Sequence, residues 1–312
     1  MARVIQKGST PVGMHISICV KEILEFLQIK PGQTGLDCTL GYGGHTQEML
    51  KCLEGQGHMY AIDVDSIEMA KTKARLESLG YGPELLTIQK LNFADIDQLA
   101  AETGPVDFVL ADLGVSSMQI DNPERGFSYK KEGPLDLRLD SEKGISAAER
   151  LKDISQKELE GMLLENADEP YAEEISRAVV TAIKKGARVD TTSKLQQLIE
   201  NALSFIPVSE RKEAVKKSCQ RTFQALRIDV NSEYEVLYTF MEKLPGILAP
   251  GGRAAILTFH SGEDRIVKKC FKELQRQGVY SQVANDVIRP SAEECSINSR
   301  ARSTKMRWAI KA

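Results

Sequence analysis

The sequence predicts an α/β fold: a Rossmann-like sheet of seven strands, the last of them antiparallel, interrupted by an inserted all-helical subdomain. Three observations predict it. Short apolar runs alternate with stretches of helical periodicity, the mark of βα units around a parallel sheet. Between residues 121 and 220 helical patterns follow one another with no strand between them. The βα rhythm then resumes and closes on two strands that no helix separates, a terminal hairpin. Residues 1–120 and 221–312 are therefore expected to form one sheet domain, and 121–220 an insert that presents a substrate to it.

The elements follow in order. His15 to Gln28 sets Ile16, Val20, Ile23, Leu24 and Leu27 at helical spacing, and Pro31-Gly32 stops the helix. Leu36 to Leu40 reads as a strand that runs into Gly41-Tyr42-Gly43-Gly44-His45-Thr46 and a helix with Met49, Leu50 and Leu53. Glycines let a ligand approach the backbone, and a helix N-terminus offers N–H groups to an anion. A tight turn with nothing bound carries the same signature. His58 to Asp63 is a strand ending in an acid, with Asp65 and Ser66 opening the next helix. Asp63 follows the loop by roughly 20 residues, the separation at which an acid reaches a ribose hydroxyl. The loop is Gly-x-Gly-Gly, which favours an adenosine cofactor over a dinucleotide. Leu85 to Leu91 is a third strand. Phe93 behind it fits either an adenine edge or a core position under a loop.

The centre of the chain is Asp112. It ends the apolar strand Val106 to Ala111 and is followed by Leu113-Gly114-Val115-Ser116-Ser117. Ligands bind at the carboxyl ends of strands in open α/β sheets, so this carboxylate is the leading candidate for chemistry. An ordinary Asx turn is the alternative.

Beyond it, Asp121 to Asp140 reads as an ordered loop. Ser155 to Glu158 has the capping-box pattern; Tyr171 to Lys185 is a helix ended by Gly186, and Leu195 to Ile206 one ended by Pro207. The basic run Arg211, Lys212, Lys216, Lys217, Arg221 and Arg227 suits either a wet helix face or a nucleic-acid contact. Val236 to Leu244 is a helix, and Pro250-Gly251-Gly252 turns into the strand Arg253 to Phe259. That strand ends at His260-Ser261-Gly262, and a helix through Ile266, Val267 and Phe271 follows. Tyr280 to Ile288 and Lys305 to Ile310 are the hairpin strands, joined by a polar connection carrying Arg300 and Arg302. A hairpin of this kind closes the sheet of class I methyltransferases; a dehydrogenase does not need it.

Composition narrows the function classes. The chain has 312 residues, 42% hydrophobic and 27% charged, with a net charge of −3. That is ordinary for a globular protein and gives no global basic field for non-specific nucleic-acid binding. Six cysteines form no CxxC pair, which argues against zinc ribbons and disulfide frameworks and for a reduced, cytoplasmic protein. Met1 to Thr10 has no apolar signal-peptide core, and no apolar run is long enough to span a membrane. No membrane and no metal partner is expected.

At Asp112-Leu113-Gly114-Val115-Ser116-Ser117-x-Gln119, Arg125-Gly126-Phe127-Ser128 and Gly133-Pro134-Leu135-Asp136-x-Arg138, the sequence closely resembles the bacterial small-subunit (16S) ribosomal RNA cytosine-N4 methyltransferases, the MraW/RsmH family. Further matches are Gly43-Gly44-His45, Ala61-Ile62-Asp63, Arg221 to Ile228, Phe259-His260-Ser261, Glu263 to Lys268 and Ser299 to Ser303. The resemblance runs in order from His15 to the C-terminus. It implies S-adenosylmethionine as methyl donor and a cytidine of the ribosomal decoding region as target. It places cofactor contacts at Gly43, Gly44, His45, Asp63, Phe93, Asp112 and Gln119. The sequence departs from the family pattern at Ile16-Ser17-Ile18, at Tyr42 (usually Arg), at Asp168-Glu169-Pro170 and at Gly262 (usually Leu). These departures leave room for a divergent paralogue acting on another cytidine.

The chemistry adds roles. The N4 amine of cytosine is a poor nucleophile, because its lone pair is delocalised into the ring. It must be held in line with the methyl, and its hydrogens must be accepted by a carboxylate or carbonyl. Asp112 is the expected acceptor. Methylation at C5 would need a cysteine nucleophile; no Pro-Cys pair occurs, and Cys38 lies within a predicted strand. The target base has to leave its stack, with Phe127, Arg138, Phe223, Gln224 and His260 as candidates to hold it. Phosphate contacts are expected from Arg125, Arg221, Arg227, Arg300 and Arg302. The acidic balance points to an assembled small ribosomal subunit, recognised by shape, rather than to free RNA. Two further readings stay open: an amino-methyltransferase of another nucleic acid or a protein, and a ribosome-assembly factor that binds RNA without catalysis. Monomer and homodimer are both compatible with the sequence.

Overall fold

The computed structural model describes residues 17–312. The expectations for Met1 to Thr10, and for His15 and Ile16 at the head of the first helix, lie outside the described residues.

The chain opens with α1 (Val20–Leu27), β1 (Thr34–Asp37), α2 (Gly44–Cys52), β2 (His58–Asp63), α3 (Ser66–Ser78), β3 (Leu86–Lys90), α4 (Ile96–Thr103) and β4 (Val106–Asp112). A helical stretch follows: α5 (Ser117–Asp121), α6 (Ala147–Lys152), α7 (Gln156–Ala167), α8 (Ala172–Lys184), α9 (Thr192–Ala202) and α10 (Val208–Asn231). The chain closes with α11 (Glu233–Ile247), β5 (Leu248–Thr258), α12 (Ser261–Arg276), β6 (Tyr280–Val283), α13 (Ala292–Ile297) and β7 (Lys305–Lys311).

It divides into two compact units, one running to Gly114 and resuming at Tyr234, the other Val115–Glu233. The sequence put the change of rhythm at 121 and 220. The observed division falls elsewhere because α5 belongs with the helices, and because α10 runs unbroken past 220 to Asn231.

In the first unit the seven strands lie in the order β3-β2-β1-β4-β5-β7-β6. All neighbours are parallel except β7, which runs antiparallel to both β5 and β6. This is the Rossmann-like sheet with a reversed last strand. Its order reverses between β1 and β4, the topological switch point. Val109 and Ala111 pack on one face with Leu237, Phe240 and Leu244 of α11. Their neighbours Phe108 and Leu110 pack on the other with Ile23 of α1 and Met49 of α2. Both faces are covered, so β4 is apolar almost throughout. Two expected strands were misjudged in length. Leu36 to Leu40 shrinks to an end at Asp37, and Tyr280 to Ile288 to an end at Val283, with Ile288 making only an isolated bridge to Met306.

The second unit has its own core, built from Leu159 and Leu163 of α7, Ile175 and Val179 of α8, Leu195 and Ile199 of α9, and Cys219, Phe223 and Leu226 of α10. Only half of the capping box expected at Ser155 forms. Its hydroxyl accepts from the Glu158 N–H, while the Glu158 carboxylate pairs with Arg150.

Candidate active site

Three carboxylates stand at the carboxyl ends of adjacent strands. Asp37 ends β1, Asp63 ends β2 and Asp112 ends β4. Asp37 pairs in register with Ala61 and Leu110, so Asp63 and Asp112 each project two residues further.

Asp37 is buried and organises the loop behind it. One oxygen accepts from the Thr46 hydroxyl at 2.6 Å, the other from the Thr39 N–H at 3.0 Å. Burial pushes its carboxyl above the usual range, against those hydrogen bonds and the nearby His45. The Thr39 hydroxyl in turn accepts from the Asp112 N–H at 2.7 Å, tying β1 to β4 at the switch point. Asp63 accepts one backbone N–H on each oxygen, from Gly41 at 2.8 Å and Asp65 at 2.9 Å. Burial raises this carboxyl too. The expected ribose acid thus also fastens the glycine loop.

Gly43 sits at φ +76 immediately before α2, where a Cβ would come within 2.7 Å of Thr72 and 3.0 Å of Leu76. A side chain there would meet both the left-handed backbone and α3. Among the described residues no side chain caps the start of α2 at Gly43. Tyr42, where the resembled family has arginine, lies under the Arg75 guanidinium at 4.2 Å. Arg75 also donates to the Tyr42 carbonyl and to Gln47, so a guanidinium reaches this loop from α3 instead. Phe93 is half-buried and meets Phe240 edge-on at 5.1 Å, which makes it the lip of the core.

Asp112 is the least satisfied of these groups. Oδ1 is inaccessible to solvent and has no hydrogen-bond partner among the described residues. Oδ2 faces His45 Nδ1 at 3.6 Å. Burial is the main reason its carboxyl is pushed up to about 6; Asp37 and Glu263 push the same way, and His45 opposes them. The other ring nitrogen, His45 Nε2, lies 2.9 Å from the Ile18 carbonyl. His260 stands at the end of β5, with Nε2 3.1 Å from the buried Glu263. Glu263 also accepts the Phe259 N–H at 2.8 Å. Gly262 follows, and a Cβ there would fall 2.0 Å from the Tyr234 hydroxyl oxygen. The glycine is required by space: Tyr234 occupies the volume a side chain would need.

The second unit holds the remaining candidates. Gln119 closes a capping box with Ser116: its side chain accepts the Ser116 N–H at 2.9 Å and its own N–H donates to Ser116 Oγ at 3.2 Å. Four substrate candidates turn out to brace the unit itself. Arg125 is buried and donates to the Arg138 and Leu139 carbonyls. Arg138 forms a fork with Asp136 at 2.7 and 2.8 Å. Arg227 does the same with Glu233 at 2.7 and 3.0 Å. Phe223 is buried in the helical core, edge-on to Tyr129. Arg125 and Phe223 are buried and Arg138 and Arg227 half-buried, so all four side chains are engaged by their own chain in this structure. Arg221 and Gln224 are half-buried on α10, with Gln224 reaching the Asn166 carbonyl at 3.3 Å. Phe127 is partly buried beside Arg125. In the first unit Arg302 is exposed and Arg300 half-buried, just before β7. Part of the basic run on α10 is engaged by its own chain. Lys216 and Lys217 pair with Glu213, and Arg211 binds the Ser204 and Ile206 carbonyls.

Two features escaped the sequence. Leu137 is fully buried with φ +65, a strained conformation for leucine. Asn231 holds it there, donating to the Leu137 carbonyl at 2.8 Å and accepting from the Leu139 N–H at 2.7 Å. Nothing local in the sequence signals either. The Ser116 to Gln119 box, by contrast, is a pattern that could have been read.

The chain was compared with known proteins. The family model described as the MraW methylase family matches residues 13–312. Ribosomal RNA small subunit methyltransferase H 1 of Lachnoclostridium phytofermentans is 75% identical over 310 residues, covering 99% of this chain and 85% of that protein. Ribosomal RNA small subunit methyltransferase H 2 of Alkaliphilus metalliredigens is 69% identical, covering 100% and 89%. Ribosomal RNA small subunit methyltransferase H of Halothermothrix orenii is 36% identical, covering 95% and 97%. With a strand-end carboxylate at the switch point and a match over nearly its whole length, the chain belongs to the MraW methylase family.

Proposed function

We propose that the chain transfers a methyl group from S-adenosylmethionine to the N4 amine of a cytidine in the decoding region of small-subunit ribosomal RNA. Family membership and the relatives' names support the coarser statement, that it is a methyltransferase of small-subunit ribosomal RNA. The finer one is supported by Asp112, whose buried Oδ1 lacks a partner among the described residues at the sheet's switch point.

The residues present fit the cofactor. Asp63 suits ribose hydroxyls, Gly43 and Gly44 with the uncapped start of α2 suit the amino-acid end, and Phe93 suits an adenine edge. Gln119 and His45 complete the proposed contacts. The gathered carboxylates of Asp37 and Asp112 suit a cation, and the cofactor supplies a methyl on a positively charged sulfur. Asp112 accepts the hydrogens of the target amine, freeing its lone pair for in-line attack. The candidates proposed to hold the substrate include Phe127, Arg221, Gln224, His260, Arg300 and Arg302. Such a substrate places the work in the cytoplasm.

The test is transfer of labelled methyl to small ribosomal subunits that lack the modification, followed by nucleoside mass spectrometry. N4-methylcytidine is the expected product. A C5-methylated product, or tight binding of subunits with no transfer, would overturn the assignment.

A further inference from the structure

Methylation of an amine leaves one proton over: R–NH2 becomes R–NH–CH3, the S–CH3 electron pair stays on sulfur, and the cofactor loses its positive charge. Something must take that proton. The surroundings of Asp112 identify it.

The Ile18 carbonyl can only accept a hydrogen bond, so His45 Nε2, 2.9 Å away, carries a hydrogen. In a neutral imidazole the opposite nitrogen, Nδ1, is then a lone pair. That nitrogen faces Asp112 Oδ2 at 3.6 Å. Two lone pairs aimed at each other repel, and a single proton between them removes the repulsion. A closer approach of the two groups would make this contact a hydrogen bond, the kind of tightening that catalytic pairs undergo on loading. Among the described residues, the other groups facing the pair are acidic or neutral. Asp37 from β1 and Glu263 from α12 add negative charge at Asp112, and the Cys19 thiol before α1 lies nearby. A proton on the pair is thus favoured from several sides.

We propose that Asp112 and His45 together hold one exchangeable proton, released when a positively charged methyl donor binds and regained from the amine during transfer. This rests on the functional reading above and extends it to His45, which becomes a proton-holding partner as well as a loop residue. Charge balances at each stage. The pair goes from net zero to −1 as the cationic donor enters, and back to zero as the amine proton arrives and a neutral product remains. The pair thereby distinguishes donor from product by charge. The shift of the Asp112 carboxyl to about 6 sets the pH at which the effect is largest.

The experiment is calorimetry on the full chain at pH 6, in two buffers of contrasting ionisation enthalpy, with S-adenosylmethionine and S-adenosylhomocysteine. The buffer dependence counts protons. The expected result is that the methyl donor releases about half a proton more than the demethylated product. His45→Gln keeps an amide to donate to the Ile18 carbonyl but removes Nδ1, and Asp112→Asn removes the carboxylate; each is expected to abolish the difference. Nitrogen NMR of the free protein provides a second readout, with His45 expected in the Nε2–H form. Binding of both ligands with equal proton counts, or a neutral Nδ1–H tautomer, would overturn the inference while leaving the cofactor assignment intact. Binding of neither ligand would overturn the cofactor assignment and the inference with it.

Discussion

Replacing Asp112 by asparagine is expected to stabilise the protein while abolishing transfer. Asparagine keeps the shape of the side chain and can donate to His45 Nδ1, so the cost of burying a charge disappears. The magnitude follows from the carboxyl's displacement from 3.8 to about 6. At about 1.4 kcal/mol per pH unit, the ionised native state is disfavoured by about 3 kcal/mol at pH 7.5. The sign is that of a raised native pKa. The native state binds more protons than the unfolded chain between the two values, so wild-type stability falls as pH rises through that window and the penalty is complete above it. At pH 4.5 the gain from asparagine is expected to shrink to about 1 kcal/mol, because wild-type Asp112 is then largely protonated when folded. Urea unfolding of both proteins at the two pH values, followed by circular dichroism, gives the comparison. A variant no more stable than wild type at pH 7.5, or a gain that does not shrink on acidification, would refute the reasoning. Loss of transfer by a factor of about 10² to 10⁴ in the same variant is the activity side of the trade.

Transfer by the wild-type enzyme is expected to climb with pH up to about 6 and then level, if the ionised Asp112 is the proposed acceptor of the amine hydrogens; a profile flat from pH 5 to 8 would contradict this role. Gly262→Leu should destabilise the first unit by about 1–3 kcal/mol through overpacking against Tyr234, and pairing it with Tyr234→Ala should restore part of the loss in a double-mutant cycle. Asn231→Ala removes the bonds that hold Leu137 and Leu139, and should cost about 2–3 kcal/mol in chemical denaturation with little change in cofactor affinity. Arg302→Glu, on an exposed side chain, should raise KM for ribosomal subunits with unchanged unfolding; an unaltered KM removes Arg302 from the substrate surface.

The sheet was legible because its information is local. Alternating strand and helix periods, glycines at turns and acids at strand ends gave β1 to β5 and placed Asp63 and Asp112 correctly. The terminal hairpin gave the reversed β7. The arginines were not legible, because an arginine in a polar loop looks the same whether it will meet a phosphate or a carbonyl. Arg125 found the carbonyls of Arg138 and Leu139, thirteen and fourteen residues away, only once the loop had closed. Phe223 shares helical spacing with both a core stripe and a stacking platform, and packing decided for the core. Asn231 acts across more than ninety residues of sequence, and no pattern carries that distance. Gly262 was marked as a departure, but its reason, the Tyr234 hydroxyl, became visible only in three dimensions.

The reversed β7 has a consequence for how the protein is made. Among the described residues it is the strand that joins β6 to the rest of the sheet, and it follows every other strand in the sequence. While synthesis proceeds, β5 and β6 each carry an open hydrogen-bonding edge that no earlier segment covers. A ribosome that stalls or releases before Lys305 therefore yields a chain with two sticky strand edges and a core without Met306 and Ala309, a ready substrate for aggregation or proteolysis. Completion of the sheet therefore waits on β7, which is made after every other strand.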